Sequence, residues 1–224
     1  MIIAEDTESK VLPLSVIEQL RKINIFFTEN IRTARRHIKK IVKEKNIDNT
    51  LFYSFGKNNS LKLEHDFLPH ILNGKNIGLI SDAGMPCIAD PGAKIVEYAH
   101  NFQIETVPLS GPNSITLGLM ASGFNGQNFV FHGYLPIQNK DCEKKIKKIE
   151  TIAKKNNQTQ IFIETPYRNN KLFEKILKIC HSETKLCLAT NLTAKNQNIK
   201  TKLIYEWRKE NINLHKQPTI FLIL

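Results

Sequence analysis

The 224-residue sequence predicts an α/β protein made of two domains, each a sheet covered by helices. Two observations predict this class. Short β-rich runs alternate with helical periods along almost the whole chain, a pattern typical of parallel strands joined by helices. The alternation breaks once, at residues 122–126 (SGFNG), and then restarts, which indicates a hinge. We therefore expect an N-terminal α/β domain at 1–125 and a C-terminal α/β domain at 126–224.

The N-terminal domain shows its clearest helical period at 31–45, where apolar residues recur on one face of a strongly basic segment. The compact apolar run at 77–80 indicates a buried strand, and we expect the sheet to be mostly parallel. The predicted strands are 25–28, 52–55, 77–80 and 105–109, and the predicted helices are 14–23, 31–45, 63–72, 93–100 and 114–121.

The C-terminal domain repeats the alternation but ends differently. Few helical periods separate its last strands, so we expect a mixed sheet rather than a purely parallel one. The predicted strands are 128–132, 160–164, 185–190, 203–207 and 219–224, and the predicted helices are 141–155 and 171–180.

The composition excludes several classes of protein. Hydrophobic residues make up 41% of the chain, which excludes disorder of the whole chain. The longest apolar runs, such as 220–224, are far shorter than the roughly 18–20 residues of a membrane helix. With no signal peptide at the start, we expect a cytoplasmic protein with reduced thiols. The four cysteines have no close spacing, and His65 and His70 are five apart, so we expect no metal site.

The charge is strongly positive. The chain has 32 Lys and Arg against 21 Asp and Glu, a net charge of +11. Such a surplus suits a polyanionic partner, nucleic acid above all, but a lysine-rich solvated surface with no partner explains it equally well. Composition alone leaves both interpretations open.

The most specific local pattern is residues 78–92, GLISDAGMPCIADPG. An apolar strand leads directly into a loop with Gly84 and Gly92, which allow tight turns and close approach of a ligand, and with two prolines that hold the loop rigid. Ligands of open α/β sheets bind at the carboxyl ends of strands, where this loop lies. The pattern is neither a dinucleotide fingerprint nor a P-loop, so a nucleotide phosphate is a poor candidate. A purely structural turn remains possible from spacing alone.

A second loop of the same kind follows the next predicted strand. Residues 108–114 read PLSGPNS, so Gly and Pro again precede a helix, which Asn113 or Ser114 can cap. Two such loops after successive strands point to one binding site.

These loops, together with residues 131–136 (FHGYLP) and 162–168 (FIETPYR), resemble the tetrapyrrole methylase superfamily in order and spacing. The resemblance extends from about residue 12 to the C-terminus and is closest to the branch that methylates small-subunit ribosomal RNA. It implies a homodimeric two-domain methyltransferase with S-adenosylmethionine in the cleft between the domains. The implied partner is rRNA or the small ribosomal subunit, and the implied acceptor is a ribose 2′-hydroxyl.

The resemblance also assigns cofactor-binding positions. The first loop would hold the methionine and sugar side of S-adenosylmethionine through Asp82, Gly84, Met85, Pro86 and Ile88. The second loop would form another wall with Pro112, Asn113 and Ser114. In the C-terminal domain the contacts would be Ile163 and Glu164, with Pro218 and Thr219 on the adenine side.

Two departures from the family pattern indicate a divergent branch. The family begins with a strand and a P-x-P-x-G-N loop, of which residues 1–3 would be a remnant, so we expect either a truncated start or a branch that lacks the loop. The family's E-D-T-R stretch is here Glu29-Asn30-Ile31-Arg32, with a neutral residue at an acidic position.

A ribose hydroxyl is a weak nucleophile, so a base should assist methyl transfer. Glu29, just after a predicted strand, is the first candidate, although it could instead pair with Arg32 or Arg35 or cap the following helix. Lys57 and Asn58 are candidate substrate-orienting residues. His132 is a further candidate base, with a hydrogen-bonded structural role as the alternative.

The basic face of segment 31–45 is the candidate RNA surface, because arginine forks onto phosphates. Its predicted RNA-binding residues are Arg32, Arg35, Arg36 and Lys39. Two alternative functions remain open: a methylase of a tetrapyrrole or other small metabolite, and a catalytically silent RNA-binding relative.

Overall fold

The computed structural model describes residues 1–55 and 62–224, which form two compact units, Met1–Asn113 and Ser114–Leu224. Each unit is a sheet with helices packed on it, so the α/β class is confirmed. Within the described ranges, no helix is both long and apolar enough to cross a lipid bilayer.

The first unit is built on a parallel sheet in the order β2-β1-β3. Its central strand β1 is buried along its whole length, because its residues Ile-Phe-Phe-Thr have helices on both faces. Phe26 packs towards α2 and α3 on one face, whereas Phe27 packs towards α5 and α6 on the other. The elements in chain order are α1 (Glu8–Val11), α2 (Leu14–Lys22), β1 (Ile25–Thr28), α3 (Ile31–Ile41), β2 (Leu51–Ser54), α4 (Leu63–Asp66), α5 (Leu68–Leu72), β3 (Gly78–Ile80) and α6 (Ala93–Asn101).

Helix α3 begins with a side-chain cap and ends before the predicted residue 45. Asn30 caps its first turn by accepting a hydrogen bond from the Thr33 N–H at 3.1 Å. The helix ends at Ile41 because Lys45 is drawn into the core, only 6% exposed. The Lys45 ammonium donates to two backbone carbonyls and to the Asn24 side chain at 3.0 Å, partners that a continuing helix would not reach.

The predicted strand at 105–109 is wrong, since the structure assigns no strand to these residues. Val107 is 68% exposed and Leu109 is 40% exposed. The apolar residues that suggested a strand therefore face solvent instead of a core, and a strand depends on backbone partners as much as on its side chains.

The second unit has a mixed sheet in the order β4-β5-β8-β6-β7. Strands β4 and β5 are parallel, whereas β8 is antiparallel to both β5 and β6, so the expectation of a mixed sheet is confirmed. Its elements are α7 (Ser114–Ser122), β4 (Phe129–Tyr134), α8 (Asn139–Asn156), β5 (Thr159–Ile163), α9 (Asn169–Ile179), β6 (Lys185–Thr190), β7 (Asn198–Leu203), α10 (Ile204–Trp207) and β8 (Thr219–Ile223).

Helix α7 belongs to the second unit by its contacts. A Cβ added at Gly118 would lie 3.3 Å from a methyl carbon of Ile220 on β8, so the glycine lets the helix lie close to the sheet. The Thr201 hydroxyl on β7 donates to the Ser122 carbonyl at 2.7 Å. This bond attaches Ser122, the first residue of the 122–126 segment, to the second unit. The domain boundary after residue 125 stays a prediction.

The predicted strand at 203–207 is wrong: β7 ends at Leu203 and a short helix follows. The Glu206 carboxylate turns back to accept a hydrogen bond from the Leu203 N–H at 2.8 Å, which stabilises the helical turn. The Trp207 indole donates to the Leu186 carbonyl at 2.9 Å and lies in the main core, 1% exposed. Burial of this one large side chain favours the turn over an extended strand.

We predict that Gly78→Ala destabilises the first unit. A Cβ at this position would lie 2.6 Å from ring carbons of the buried Phe26, so ring or strand must shift. Such overpacking costs about 1–3 kcal/mol. Urea unfolding measures the loss, with Gly111→Ala as control, because its added Cβ would make only an ordinary 3.8 Å contact. Equal stability of the two variants would contradict the prediction.

Candidate functional site

The loops that follow β1 and β3 are joined by a reciprocal pair of hydrogen bonds, here called the Glu29–Asp82 clasp. Because the two strands are parallel neighbours, both loops leave the same edge of the sheet. The Glu29 carboxylate accepts a hydrogen bond from the Asp82 N–H at 2.9 Å. The Asp82 carboxylate in turn accepts one from the Asn30 N–H. Glu29 therefore lies at the predicted cofactor loop, and no ion pair within residues 1–55 and 62–224 joins it to Arg32 or Arg35.

Asp90 completes a group of three carboxyls at this edge. Its carboxyl hydrogen-bonds to Glu29, and its Oδ1 atom is buried with no partner among the described residues. Burial, followed by the charge of Glu29 and this hydrogen bond, raises the pKa of Asp90 to about 7. A protonated Asp90 donates to Glu29, so the pair keeps one shared proton.

Asp82 feels the same surroundings. Burial and then the negative charge of Glu29 raise the pKa of Asp82, while the bond from the Asn30 backbone opposes the shift. Sequence reasoning proposed Glu29 and Asp82 for the site but gave Asp90 no role. The available signal was the Asp90-Pro91-Gly92 triplet that ends the first loop.

Gly84 lies where the two predicted cofactor loops touch. Its φ of +74° belongs to the left-handed region that favours glycine. An added Cβ would lie 3.4 Å from a side-chain carbon of Ile3 and 3.5 Å from the Pro112 carbonyl of the second loop. The Gly84 carbonyl accepts a hydrogen bond from the Ser81 hydroxyl at 3.1 Å. The first loop therefore packs directly on the second, as expected for two walls of one site.

The rest of the first loop has unusual backbone geometry. Cys87 and Ala89 have φ values of +68° and +60°, which are unfavourable for residues with a side chain. Ile88 lies between them and is 47% exposed, while Met85 and Pro86 are half-buried. Strained residues concentrate at functional sites, because the surrounding structure must impose them.

The predicted residues of the second unit share one edge of its sheet. Ile163, at the end of β5, pairs with Ile220 of the antiparallel β8, so Glu164 lies close to Pro218 and Thr219. The Glu164 side chain is 9% exposed and accepts bonds from the Thr165 N–H at 2.6 Å and from Arg168 at 2.5 Å. The carboxylate is thus held in place by its own loop.

Three buried polar atoms near this edge have no hydrogen-bond partner in the part of the chain that the structure describes. They are Nε of Arg168, Oδ1 of Asn169 and Oγ1 of Thr193. Thr193 also has a φ of +70°, unfavourable for a β-branched residue. Buried polar groups need partners, and a bound polar molecule or ordered water supplies them.

Three further catalytic or substrate-orienting candidates were proposed from the sequence: Lys57, Asn58 and His132. Lys57 and Asn58 lie outside the described residues. His132 on β4 hydrogen-bonds to Gln160 of the neighbouring strand at 2.7 Å, and burial lowers its pKa, which favours the structural role. Over residues 1–55 and 62–224, no group of His, Cys, Asp or Glu has the arrangement of a metal site.

Helix α3 presents its predicted RNA-binding residues at the surface. Arg35 pairs with Asp48 at 3.0 Å and lies over the Phe52 ring, and Lys39 donates to the Lys45 carbonyl. Arg32 and Arg36 are exposed. A groove of about 500 Å³ beside the helix is lined by Arg35, Arg36, Lys39, Glu44, Lys45, Asn46, Ile47 and Asp48.

Residues 10–207 match the family model of the tetrapyrrole (corrin/porphyrin) methylases. The chain belongs to this family. It is a methyltransferase, and the methyl donor of the family is S-adenosylmethionine. Both the resemblance seen in the loops and the fold it implies are therefore confirmed.

Similar proteins point to one branch of the family. The chain is 31% identical over 211 residues to a ribosomal RNA small subunit methyltransferase I of Buchnera aphidicola subsp. Acyrthosiphon pisum, covering 92% of this chain and 71% of that protein. It is 30% identical to the protein of the same name from Thermotoga maritima, covering 83% and 79%. The crystal structure of the methyltransferase CobJ has the same fold, with a TM-score of 0.59 at 14% identity over 95% of this chain and 87% of that one.

The raised pKa of Asp90 predicts that the contribution of this residue to folding stability falls as the pH rises from about 4 to about 7. In this interval the folded protein holds a proton on Asp90, whereas the unfolded chain, with an aspartate pKa near 3.9, has released it. Asp90→Asn has no titrating group, so it should gain stability relative to the parent protein between pH 5 and pH 8. Urea unfolding of both proteins at the two pH values measures this, and an equal difference at both would contradict it.

Proposed function

We propose that this methyltransferase transfers the methyl group of S-adenosylmethionine to a ribose 2′-hydroxyl of small-subunit ribosomal RNA. The proposed substrate rests on the similarity, over most of the chain, to proteins named ribosomal RNA small subunit methyltransferase I. The basic surface of the first unit supports it, because a +11 chain with arginines exposed on α3 suits a phosphate backbone. A small tetrapyrrole substrate needs no such surface.

For the cofactor, we propose that the packed loops of the first unit and the β5–β8 edge of the second supply the contacts. In the first unit these are Asp82, Gly84, Met85, Pro86, Ile88, Pro112 and Asn113. In the second unit they are Ser114, Ile163, Glu164, Pro218 and Thr219. The contact of Gly84 with the second loop supports this assignment in the first unit, and the pairing of Ile163 with Ile220, which brings Glu164 close to Thr219, supports it in the second.

When bound, S-adenosylmethionine would supply an electrophilic methyl group, and the residues of the site would align the ribose oxygen with it. The proposed role of Glu29 is to accept the hydroxyl proton as the new C–O bond forms. The clasp with Asp82 holds the Glu29 carboxylate at the cofactor loop. Asp90 orients it further by a hydrogen bond.

For the RNA, the proposed contacts on α3 are Arg32, Arg35, Arg36 and Lys39. Arg35 and Lys39 have internal partners that water and salt weaken easily, since both lie at the surface. Phosphates would replace those partners in the groove beside the helix. Lys57 and Asn58 remain proposed substrate-orienting residues. A homodimer in the cytoplasm, where ribosomal subunits are found, completes the proposal.

The proposal predicts that Glu29→Gln loses methyl transfer while it keeps the cofactor. Loss of a general base slows transfer by about 10²–10⁴-fold. The measurement is incorporation of labelled methyl groups into 30S subunits that lack the modification, alongside tetrapyrrole precursors as the competing substrate class. Glu18→Gln, an exposed carboxylate of the same unit, is the matched control.

The possible outcomes test the proposed substrate and the proposed base separately. Transfer into tetrapyrroles but not 30S subunits would overturn the substrate. Transfer by Glu29→Gln at the parental rate would overturn the base. In a separate calorimetric titration, failure of the parent protein to bind S-adenosylmethionine would leave a catalytically silent RNA-binding relative.

We predict that Gly84→Ala weakens S-adenosylmethionine binding by about tenfold or more, since a non-glycine residue at positive φ costs about 1–2 kcal/mol and the loop would shift to relieve it. Titration calorimetry measures the affinity. Gly74→Ala is the control, because Gly74 has a similar φ of +68° with nothing within 4 Å of the added Cβ. Equal affinities of the two variants would remove Gly84 from the proposed cofactor site.

A further inference from the structure

Helix α8 of the second unit is strongly amphipathic, with a buried apolar face and a cationic outer face. Its apolar face packs into the main core of the unit through Cys142, Ile146, Ile149 and Ala153. The exposed lysines on the helix are Lys140, Lys144, Lys147, Lys148, Lys154 and Lys155. We call these six residues the α8 lysine face.

The lysines of this face fall in one narrow sector. At 3.6 residues per turn they occupy an arc of about 120° directly opposite the buried face. Over the fifteen residue steps from Lys140 to Lys155 the arc runs for roughly 22 Å along the helix. The only other residue in the sector is Thr151. Asp141 and Glu143 flank it, and Glu150 is turned away to bind the Thr184 hydroxyl and the His181 N–H.

An ordinary solvated helix intersperses acids and bases, because i,i+4 pairs of opposite charge stabilise it. The α8 lysine face, by contrast, contains no acidic residue. Lys140, Lys144 and Lys148 follow one another at i,i+4 spacing, an arrangement that is destabilising by a few tenths of a kcal/mol per pair. None of the ion pairs found in residues 1–55 and 62–224 involves a lysine of this face. Asp141 and Glu143 lie at i,i+3 and i,i+4 from Lys144 and Lys147 at the borders of the face, but neither forms an ion pair within the described chain. The centre of the face is therefore open to an external anion.

We propose that the α8 lysine face binds the phosphate backbone of folded RNA as a contact that the second unit makes on its own. The proposal rests on the proposed rRNA substrate and adds a surface for it. Lysine is a flexible point charge, which suits phosphates spaced along a strand better than one fixed group. A row of about 22 Å passes several phosphates, since nucleic acid duplexes carry roughly one charge per 1.7 Å of axis.

Two other anionic partners fit the face less well. A helix that binds lipid inserts its apolar side into the membrane, but the apolar side of α8 is occupied by the core. An acidic protein partner would call for apolar or aromatic anchors among the charges, and the sector between Lys140 and Lys155 contains none. The phosphate backbone of a nucleic acid can be bound by the positive charges of the lysines alone.

The test replaces Lys140, Lys144, Lys148 and Lys155 by Gln in the full chain. Glutamine has nearly the helix propensity of lysine, so circular dichroism and thermal unfolding should match the parent protein. The control replaces four other exposed lysines of the same unit, Lys171, Lys178, Lys185 and Lys195, by Gln and so removes the same charge. The probe is a labelled 20-base-pair RNA duplex of arbitrary sequence, titrated at several salt concentrations.

We expect the α8 variant to bind the duplex at least about tenfold more weakly at low salt, with a salt slope reduced by roughly 2 to 4, about one for each phosphate that is no longer neutralised. The control variant should change much less. Equal losses in the two variants would mean that only net charge matters and would overturn the proposal. A loss of binding to vesicles with 30% phosphatidylserine, with RNA binding unchanged, would overturn it in favour of a membrane surface.

Duplex binding requires no methyl transfer, so this readout is independent of the substrate assay. If the α8 variant loses RNA binding while no form of the protein methylates 30S subunits, the α8 contact stands and the proposed substrate fails. If 30S subunits are methylated and the α8 variant binds RNA like the parent, the substrate stands and the α8 contact fails.

Discussion

The Glu29–Asp82 clasp is the interaction on which the geometry of the candidate site depends. It joins the loop after β1 to the loop after β3 by two backbone donors that each meet the other loop's carboxylate. The arrangement brings three carboxyls together in a basic protein, and burial, followed by the charge of Glu29, raises the pKa values of Asp82 and Asp90. A proton held on Asp90 relieves the repulsion, so the clasp and the protonation state support each other.

The clasp also explains why a departure from the family pattern is tolerated. An acid is expected beside Glu29, but this chain has Asn30. The Asn30 side chain caps α3 through the Thr33 N–H, and its backbone N–H serves the Asp82 carboxylate. Asparagine caps a helix as well as aspartate does, and it adds no fourth negative charge to the group. The substitution therefore keeps the local structure and lowers the electrostatic cost.

Positive charge is distributed over both units, but in two different ways. On α3 several basic side chains are paired, as Arg35 is with Asp48 and Lys40 with Asp6 and Glu8. On α8 the lysines form a sector without acids. Paired charges keep a surface soluble and exchange partners readily, whereas an unpaired row gains most from an external polyanion. The α3 surface is therefore a groove lined by arginines, whereas the α8 lysine face is an unpaired row of lysines.

Local patterns were enough for most of the fold. The all-buried β1, the start of α3 and the amphipathic α8 each follow from residue spacing that no distant contact opposes. The predictions of secondary structure were wrong where contacts with distant residues, or their absence, determined the local conformation. Lys45 leaves the helical pattern for carbonyls near residue 23, Trp207 turns a predicted strand into a helix, and residues 105–109 have strand-like side chains that stay exposed.

For the site, the sequence by itself determined the two glycine- and proline-rich loops, the family, and the presence of Glu29 near the end of a strand. These depend on short-range chemistry: turn residues, caps and apolar runs. Only the tertiary structure decided that Glu29 meets Asp82 and Asp90, and that Gly84 touches the second loop. Those contacts join residues more than twenty positions apart. The parallel pairing of β1 with β3, which no local pattern specifies, brings Glu29 to Asp82.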